Sequence, residues 1–261
     1  MPAAPALPAA VSSGSLEDDQ PLARTRSTQA TPLEFIADYL STDDSAGWTA
    51  ASDLVSGKRL DVLFDMPRQQ WNAPAHAAAV LAWKTYTYRL AQPLATAWTL
   101  AREIPLLSAD NVLVKILPEA PYITVGLRRS TSAVLPTSCA TRSHDAIVVP
   151  DEPGLLTFLR HTLIEEHLRP LLERTMLERR VGARILWGQA AAGLAYAFYN
   201  ISATPAQDTA QLTEALGLAG LAGVCDDGNI WRTTCCRALN SPDLSACRDC
   251  PARTREGLRA P

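Results

Sequence analysis

The stretch that decides how this chain is built is residues 231–251, which read WRTTCCRALNSPDLSACRDCP. It contains four cysteines in the pattern C-C-x10-C-x2-C, namely Cys235, Cys236, Cys247 and Cys250. Thiolates are soft ligands that select zinc or iron–sulfur clusters, and a C-x-x-C turn lets two sulfurs reach one metal ion. The segment therefore predicts a metal centre bound by these four cysteines.

The adjacent pair Cys235-Cys236 separates the two candidate metals. Structural zinc sites use two knuckles, each with about two to four residues between its ligands, and an adjacent pair departs from that rule. A two-iron cluster is also held by four cysteinates, and its two ligated metals accommodate irregular spacings more easily. We therefore expect an iron–sulfur cluster, with zinc as the alternative. Residues 225–261, which contain Gly228 and Pro242, are predicted to form loops and short turns held by the metal.

Composition indicates the cellular setting. The 261 residues carry a net charge of -3, which argues against general nucleic-acid binding, and they include six cysteines. Because we find no secretory signal, a four-cysteine cluster indicates a reducing compartment and metal binding in preference to disulfides. We expect a cytoplasmic protein. Cys139 and Cys225 stand outside the motif and are expected to be ordinary small side chains, although Cys225 is near enough along the chain to approach the metal.

The chain divides into a leader and one globular domain. Residues 1–30 are rich in Pro, Ala and Ser and contain no aromatic residue, so they are predicted to be a disordered leader. We expect residues 31–224 to form a mostly helical region ahead of the 225–261 segment. The most apolar stretch, 185–201, is shorter than the roughly 20 residues that a bilayer requires. It is predicted to be a core helix and not a membrane span.

Hydrophobic periodicity predicts mostly helices, with strands in the middle of the chain. Helices are predicted over 31–40, 72–90, 94–102, 156–168, 171–180, 185–201 and 205–219. Pro93 is expected to separate the second helix from the third. Two β-branched runs, 111–116 and 122–127, predict a hairpin, and 146–149 is a candidate third strand. The fold class is therefore predicted to be mainly α with a small antiparallel β-sheet, α+β.

Several stretches resemble the ferric-siderophore reductases typified by FhuF. The spacing C-C-x10-C-x2-C is similar to the [2Fe-2S] segment of that family, and residues 230–234, IWRTT, resemble its basic and aromatic lead-in. Residues 167–171, HLRPL, and 186–191, LWGQAA, are similar to its H-L-x-P-L and L-W-G-N-A-A signatures. Gln189 stands where the family commonly has Asn. The resemblance extends from about Pro32 to the end of the sequence.

The resemblance implies an enzyme and a cofactor. It implies a [2Fe-2S] cluster on the four motif cysteines and a one-electron reduction of a ferric siderophore, with a hydroxamate type expected, that releases Fe(II) for iron assimilation. Residues 31–224 would then handle the siderophore, and residues 225–261 would bind the cluster. Arg232 and Arg248 lie beside the cysteines, where their charge could stabilise an added electron or attract an anionic chelate.

The sequence also indicates which partners are needed. It has no G-x-G-x-x-G, P-loop or G-x-S-x-G motif, so a built-in nicotinamide or nucleotide site is not supported. The electrons must come from an external donor, such as a ferredoxin or a reductase. We expect no membrane span, and peripheral membrane association stays open. His167 is expected to be structural, whereas His144, in a polar turn-like stretch, is a candidate ligand contact.

Two other classes of function remain open. One is a non-enzymatic iron–sulfur protein, either an electron carrier or a redox sensor, although the roughly 200 residues ahead of the cluster are many for a carrier. The other is a zinc-stabilised binding module. Visible absorbance separates the two metals, since a [2Fe-2S] protein is coloured and a zinc protein is not.

Overall fold

The computed structural model describes residues 47–142, 145–247 and 249–251. Its α-helices are α1 (Ala51–Val55), α2 (Leu60–Trp71), α3 (Ala75–Ala101), α4 (Glu152–Leu159), α5 (Arg169–Arg179), α6 (Ala183–Ile201) and α7 (Pro205–Ala215). Helices dominate and the strands are short, so the predicted α+β class is confirmed. The predicted helix over 31–40 and the leader 1–30 lie outside the described residues.

In the part of the chain that the structure describes, eight short strands form three small sheets. They are β1 (Thr49–Ala50), β2 (Ile104–Pro105), β3 (Val112–Ile116), β4 (Ile123–Leu127), β5 (Ser132–Val134), β6 (Ala146–Val148), β7 (Ala222–Val224) and β8 (Ile230–Arg232). The predicted hairpin is confirmed as β3 and β4, which pair antiparallel and are extended by β1. The candidate third strand forms as β6, but it joins a separate sheet, where it runs parallel to β5. The strand prediction is therefore right in position and wrong in its assumption of a single sheet.

Helices α3 and α6 pack against each other at the centre of the molecule. Trp83, Tyr86 and Phe198 are fully buried there, and burying such a side chain contributes about 1.5–3 kcal/mol. The helices approach closely at Gly193, where an added Cβ would lie 3.1 Å from the Tyr88 backbone. The predicted core helix over 185–201 is thus confirmed as α6. Among the described helices, none is both long and apolar enough to cross a bilayer.

Helix α3 contradicts the prediction of two helices separated at Pro93. It runs without interruption from Ala75 to Ala101 with Pro93 inside it. A proline in a helix interior costs about 3 kcal/mol because it removes a backbone hydrogen bond. Leu90, Leu94 and Trp98 on both sides of Pro93 are almost completely buried. Burial of these side chains on a continuous helix outweighs the local cost, which periodicity along the chain does not reveal.

A π-helix, Arg160–Leu168, joins α4 to α5 without a break. The single helix predicted over 156–168 therefore has two parts of different geometry. The wider turn of a π-helix brings residues five apart together: Arg160 Nε lies 3.6 Å from Glu165 Oε1, and His161 Nε2 lies 3.1 Å from Glu166 Oε1. π-Helical turns are rare, and those that occur are often found at functional sites.

Candidate metal centre

The hairpin β7–β8 delivers the chain to the cysteine pair. Its turn uses Gly228, whose φ of +80° suits a residue without a side chain. The hairpin aligns Ala222 with Arg232, and just beyond it Thr233 donates from its backbone N to the Leu221 carbonyl at 2.9 Å. The short antiparallel pair therefore fixes the backbone immediately before Cys235.

Thr234 anchors the same backbone against helix α6. Gln189 Nε2 donates to Thr234 Oγ1 at 3.1 Å, and both residues are buried. The contact with Gly188 is tight: a Cβ added there would come within 2.6 Å of Thr234 Cγ2 and still closer to its hydroxyl oxygen. Only glycine at this position lets the chain pass so close to the helix, with the cysteine pair directly after it.

The structure brings the four motif cysteines into one site. Cys236 Sγ lies 3.1 Å from Cys247 Sγ, and the Cys235 thiol is hydrogen-bonded to Cys236 and interacts electrostatically with Cys247 and Cys250. The Cys250 backbone N donates to the Cys247 carbonyl at 3.2 Å and closes the C-x-x-C turn. Cys236 and Cys250 are buried, with exposed fractions of 1% and 3%, whereas Cys235 and Cys247 are half-buried.

The pKa values of two of these thiols are shifted in opposite directions. The hydrogen bond from Cys236, assisted by the backbone N–H of Arg237 at 3.4 Å, lowers the pKa of Cys235 to about 6. The same hydrogen-bonded pairing with Cys236, together with burial, raises the pKa of Cys247 well above its usual value. Thiolates are the form that binds metal. Cys235 is therefore mostly ionised at neutral pH, whereas Cys247 keeps its proton.

A buried ionic chain supports the site. Arg232, whose side chain is 0% exposed, places Nε 2.7 Å from Asp249 Oδ2, and Tyr196 donates its hydroxyl to Asp249 Oδ1 at 2.5 Å. Burial lowers the pKa of Arg232, but the neighbouring Cys247 and Asp249 raise it overall, so the guanidinium is charged. Its Nη1 and Nη2 find no hydrogen-bond partner among the described residues.

The Nη1 and Nη2 atoms of Arg232, which have no partner among the described residues, indicate what kind of group the site could bind. A buried N–H group without an acceptor costs about 1–3 kcal/mol, and more for a charged group. The guanidinium lies within electrostatic range of Cys236 and Cys247, so an anionic group bound by the thiols would supply the missing acceptors. A second cation, Lys84 of α3, places Nζ 3.9 Å from Cys247 Sγ. The donor set and these two charges fit a group that carries net negative charge.

The segment after the cysteine pair is attached to helices α2 and α3. Asn72 Nδ2 donates to Asp243 Oδ2 at 2.6 Å, and Asn240 Nδ2 lies 3.2 Å from His76 Nε2. The hydroxyl of Ser241 also donates to the Trp71 carbonyl. These contacts hold residues 240–243 against the end of α2 and the start of α3, so the cysteine segment is part of the fold.

The described thiols lie near one another but do not form a complete set of ligands around a metal position. Within residues 47–142, 145–247 and 249–251, no three His, Cys, Asp or Glu side chains surround a position suited to one metal ion. Cys139 and Cys225 have exposed side chains. Arg248 and His144 lie outside the described residues.

A comparison with protein families gives a match that includes the cysteine segment. Residues 81–255 match the model of the family described as ferric iron reductase FhuF-like transporter. The chain belongs to the FhuF-like family. A search of curated proteins found no match. The matched range contains α6, the β7–β8 hairpin and all four motif cysteines, so the resemblance that the sequence suggested is confirmed at the level of the family.

The two stretches that resemble family signatures, 167–171 and 186–191, place residues in the core and beside the cysteine segment. His167 is completely buried, with Nδ1 2.6 Å from the Leu107 carbonyl and Nε2 2.6 Å from the Tyr86 hydroxyl. Since a carbonyl only accepts, Nδ1 carries the proton and Nε2 accepts from Tyr86. Burial lowers the pKa of His167 to about 4, so the ring is neutral. This confirms that His167 is structural, whereas Gly188 and Gln189 of the second signature hold Thr234.

Lys84, Tyr196 and Asp249 belong to the site but are not predicted from the sequence. Lys84 and Tyr196 come from helices that are distant along the chain, separated from their partners by 163 and 53 residues. No local pattern around either residue indicates such a contact. Asp249 lies inside the C-R-D-C turn, but its role as the partner of Arg232 becomes visible only when both side chains are buried together.

Proposed function

We propose that the protein is a [2Fe-2S] ferric-siderophore reductase, with the cluster held by Cys235, Cys236, Cys247 and Cys250. The observation that carries the proposal is the group of thiols beside the buried Arg232, whose guanidinium interacts with Cys236 and Cys247. Its Nη1 and Nη2 have no partner among the described residues, and an anionic group bound by the thiols would supply acceptors for them. Membership of a family described as ferric iron reductases supports the reaction class. When bound, such a cluster takes up and gives back single electrons.

The chain's own residues prepare the site for that charge. The ionised Cys235 thiolate is available for metal at neutral pH. Arg232 and Lys84 offset part of the negative charge of four thiolates, and the carboxylate of Asp249, fixed by Tyr196, holds the guanidinium in place. A fixed positive charge favours the more negative, reduced state of the site. We retain Arg248 as a further candidate for the same role, from its position in the sequence.

The chemistry of the substrate explains why one electron is enough. Hydroxamate siderophores are hard oxygen chelators that hold Fe(III) far more tightly than Fe(II). One electron from an external donor, such as a ferredoxin or a reductase, converts one Fe(III) to Fe(II), and the chelator then releases it. A reducing compartment, which we take to be the cytoplasm, keeps the thiols available and the product ferrous.

The test is reoxidation of the chemically reduced protein. Protein purified without oxygen is reduced with dithionite, freed of excess reductant, and mixed with a ferric hydroxamate siderophore while visible absorbance and EPR are recorded. We expect a [2Fe-2S] EPR signal in the reduced state that disappears as Fe(II) forms in equal amount. The Cys247→Ser variant should show neither. Protein that contains zinc and no iron, or a reduced protein that no ferric siderophore reoxidises, would defeat the proposal.

A further inference from the structure

A cleft of about 250 Å³ includes Trp187 of α6 in its lining. It is bounded by the π-helix, the start of α5 and the loop that follows α7. Arg160, Arg169 and Glu173 are its charged lining residues, and Trp187, Leu218 and Leu221 are among its apolar ones. An apolar cleft with a few convergent polar groups is typical of a small-molecule site.

One lining residue of this cleft contacts the chain directly before Cys235, and another is next in sequence to a residue that does so. Leu221 accepts hydrogen bonds from the backbone N of Thr233 at 2.9 Å and from its hydroxyl at 3.1 Å. Trp187, which also lines the cleft, is followed by Gly188, against which Thr234 packs. The cleft therefore lies beside the two threonines that lead into the cysteine pair.

A second connection runs through aromatic rings. Trp187 meets Trp83 edge to face, with ring centroids 6.5 Å apart. The residue after Trp83 is Lys84, whose ammonium group lies 3.9 Å from Cys247 Sγ. The cleft is thus connected to the cysteine segment through the contact of Leu221 with Thr233 and through the Trp187–Trp83 pair, which Lys84 follows in sequence. A ligand in the cleft would contact residues of both routes without entering the cysteine segment.

The π-helix sets the charge pattern at the rim of the cleft. Its wide turn places Arg160 against Glu165, five residues later, and Glu165 also pairs with Arg169 through Nε and Nη2, both at 2.9 Å. One carboxylate thereby orients two guanidinium groups, which each have five N–H donors and are about half exposed. Donors remain on both for a ligand, and a regular α-helix would not bring Arg160 and Glu165 together in this way.

From these contacts we infer that the cleft is the docking site for the ferric chelate. The two arginines donate hydrogen bonds to the ligand oxygens of a hydroxamate complex, and Trp187 and the leucines contact its apolar arms. The cleft is smaller than a whole siderophore, so it holds one part of the complex and leaves the remainder in solvent. The docked Fe(III) is reduced by one electron that originates from the external donor, and it leaves as Fe(II). The inference rests on the proposed function.

Binding and electron transfer can be measured separately. The probe is the neutral complex of gallium(III) with N-acetylated desferrioxamine, a trihydroxamate whose metal has the charge of Fe(III) but is not reduced. Its affinity for the full-length, cluster-loaded protein is measured by calorimetry. In the Arg160→Gln/Arg169→Gln double variant, loss of two charge-assisted donors should weaken binding about tenfold or more. Arg174→Gln, on the same helix α5 but paired with Glu178 and the Ser56 carbonyl, is the matched control and should bind normally.

The kinetic arm uses the iron(III) complex of the same chelator. Reoxidation of the reduced double variant should be slower at low chelate concentration, while its reoxidation by ferricyanide should match the wild type. Visible and circular dichroism spectra check that the variant holds its cluster and fold, and Arg169→Lys provides a milder change. Equal gallium-chelate affinity in the wild type and the double variant would place docking elsewhere and leave the reductase function intact. A wild type that neither binds the gallium complex nor reduces the iron complex would overturn both proposals.

Discussion

A methyl group added at Gly188 should disturb the cysteine pair from a distance. In Gly188→Ala, the new Cβ would lie 2.6 Å from Thr234 Cγ2 and 2.8 Å from Thr234 Cβ. Ordinary contact begins at about 3.4 Å, so Thr234 has to retreat by roughly 1 Å. Overpacking of this kind costs about 1–3 kcal/mol, and alanine recovers about 1 kcal/mol through its helix propensity. The expected net loss is about 1 kcal/mol of unfolding free energy.

The larger effect should appear in the metal content. Cys235 follows Thr234 directly, so displacement of the threonine moves the first two thiols relative to the others. We expect Gly188→Ala to bind less iron per chain, measured by visible absorbance and metal analysis, beside unfolding in urea. Gly182→Ala, at the start of the same helix, is the control because nothing lies within 4 Å of its added Cβ. If Gly188→Ala retains both wild-type stability and a full complement of iron, the inferred coupling between α6 and the cysteine pair is wrong.

Three further predictions concern single side chains. Cys247→Ser should lose most of the bound iron, whereas Cys225→Ser, at an exposed position, should retain it; metal analysis distinguishes them. Arg232→Gln removes a buried positive charge and should lower the midpoint potential, on the order of 60 mV for a tenfold change in the one-electron equilibrium, whereas exposed Arg237→Gln should leave a redox titration unchanged. His167 has a pKa of about 4 in the fold and 6.5 as its ordinary value. The unfolded chain therefore binds more protons between these values, and acidification from pH 7 to pH 5 should cost about 2 kcal/mol of stability; urea unfolding of His167→Gln should lack this part of the pH dependence.

The parts of the fold that the sequence predicts are those with local causes. The periodicity of residues 185–201 is strong enough to predict α6, and the β-branched runs predict the β3–β4 hairpin. Pro93 shows the limit of this reasoning. Its cost to a helix is a local property, but the burial of Leu90 and Leu94 against other elements is not. The π-helix is a similar case, since its hydrophobic spacing does not differ from that of an ordinary helix.

The site, like the fold, has features that follow from short stretches of sequence and others that depend on contacts between distant elements. The spacing of the cysteines is sufficient to propose that they act together, and the structure places their side chains in one site. The sequence also pointed to Arg232, but only as a charge near the thiols. Its complete burial, its pairing with Asp249 and its two unpartnered nitrogens depend on how β8 packs against α6. The cleft is formed by residues from four elements, so no single stretch of sequence could reveal it.

Burial of the thiols also constrains the order in which the protein matures. Cys236 and Cys250 are almost inaccessible in the finished fold, and the contact between Ser241 and Trp71 joins residues separated by 170 positions. Closing such a long loop is slow compared with forming local helices, so we expect the cysteine segment to dock after the helices have formed. Until then the thiols would be accessible to oxidation and, under the proposed function, to iron delivery. A cluster bound by these cysteines would therefore have to be loaded before the segment closes, or after it reopens.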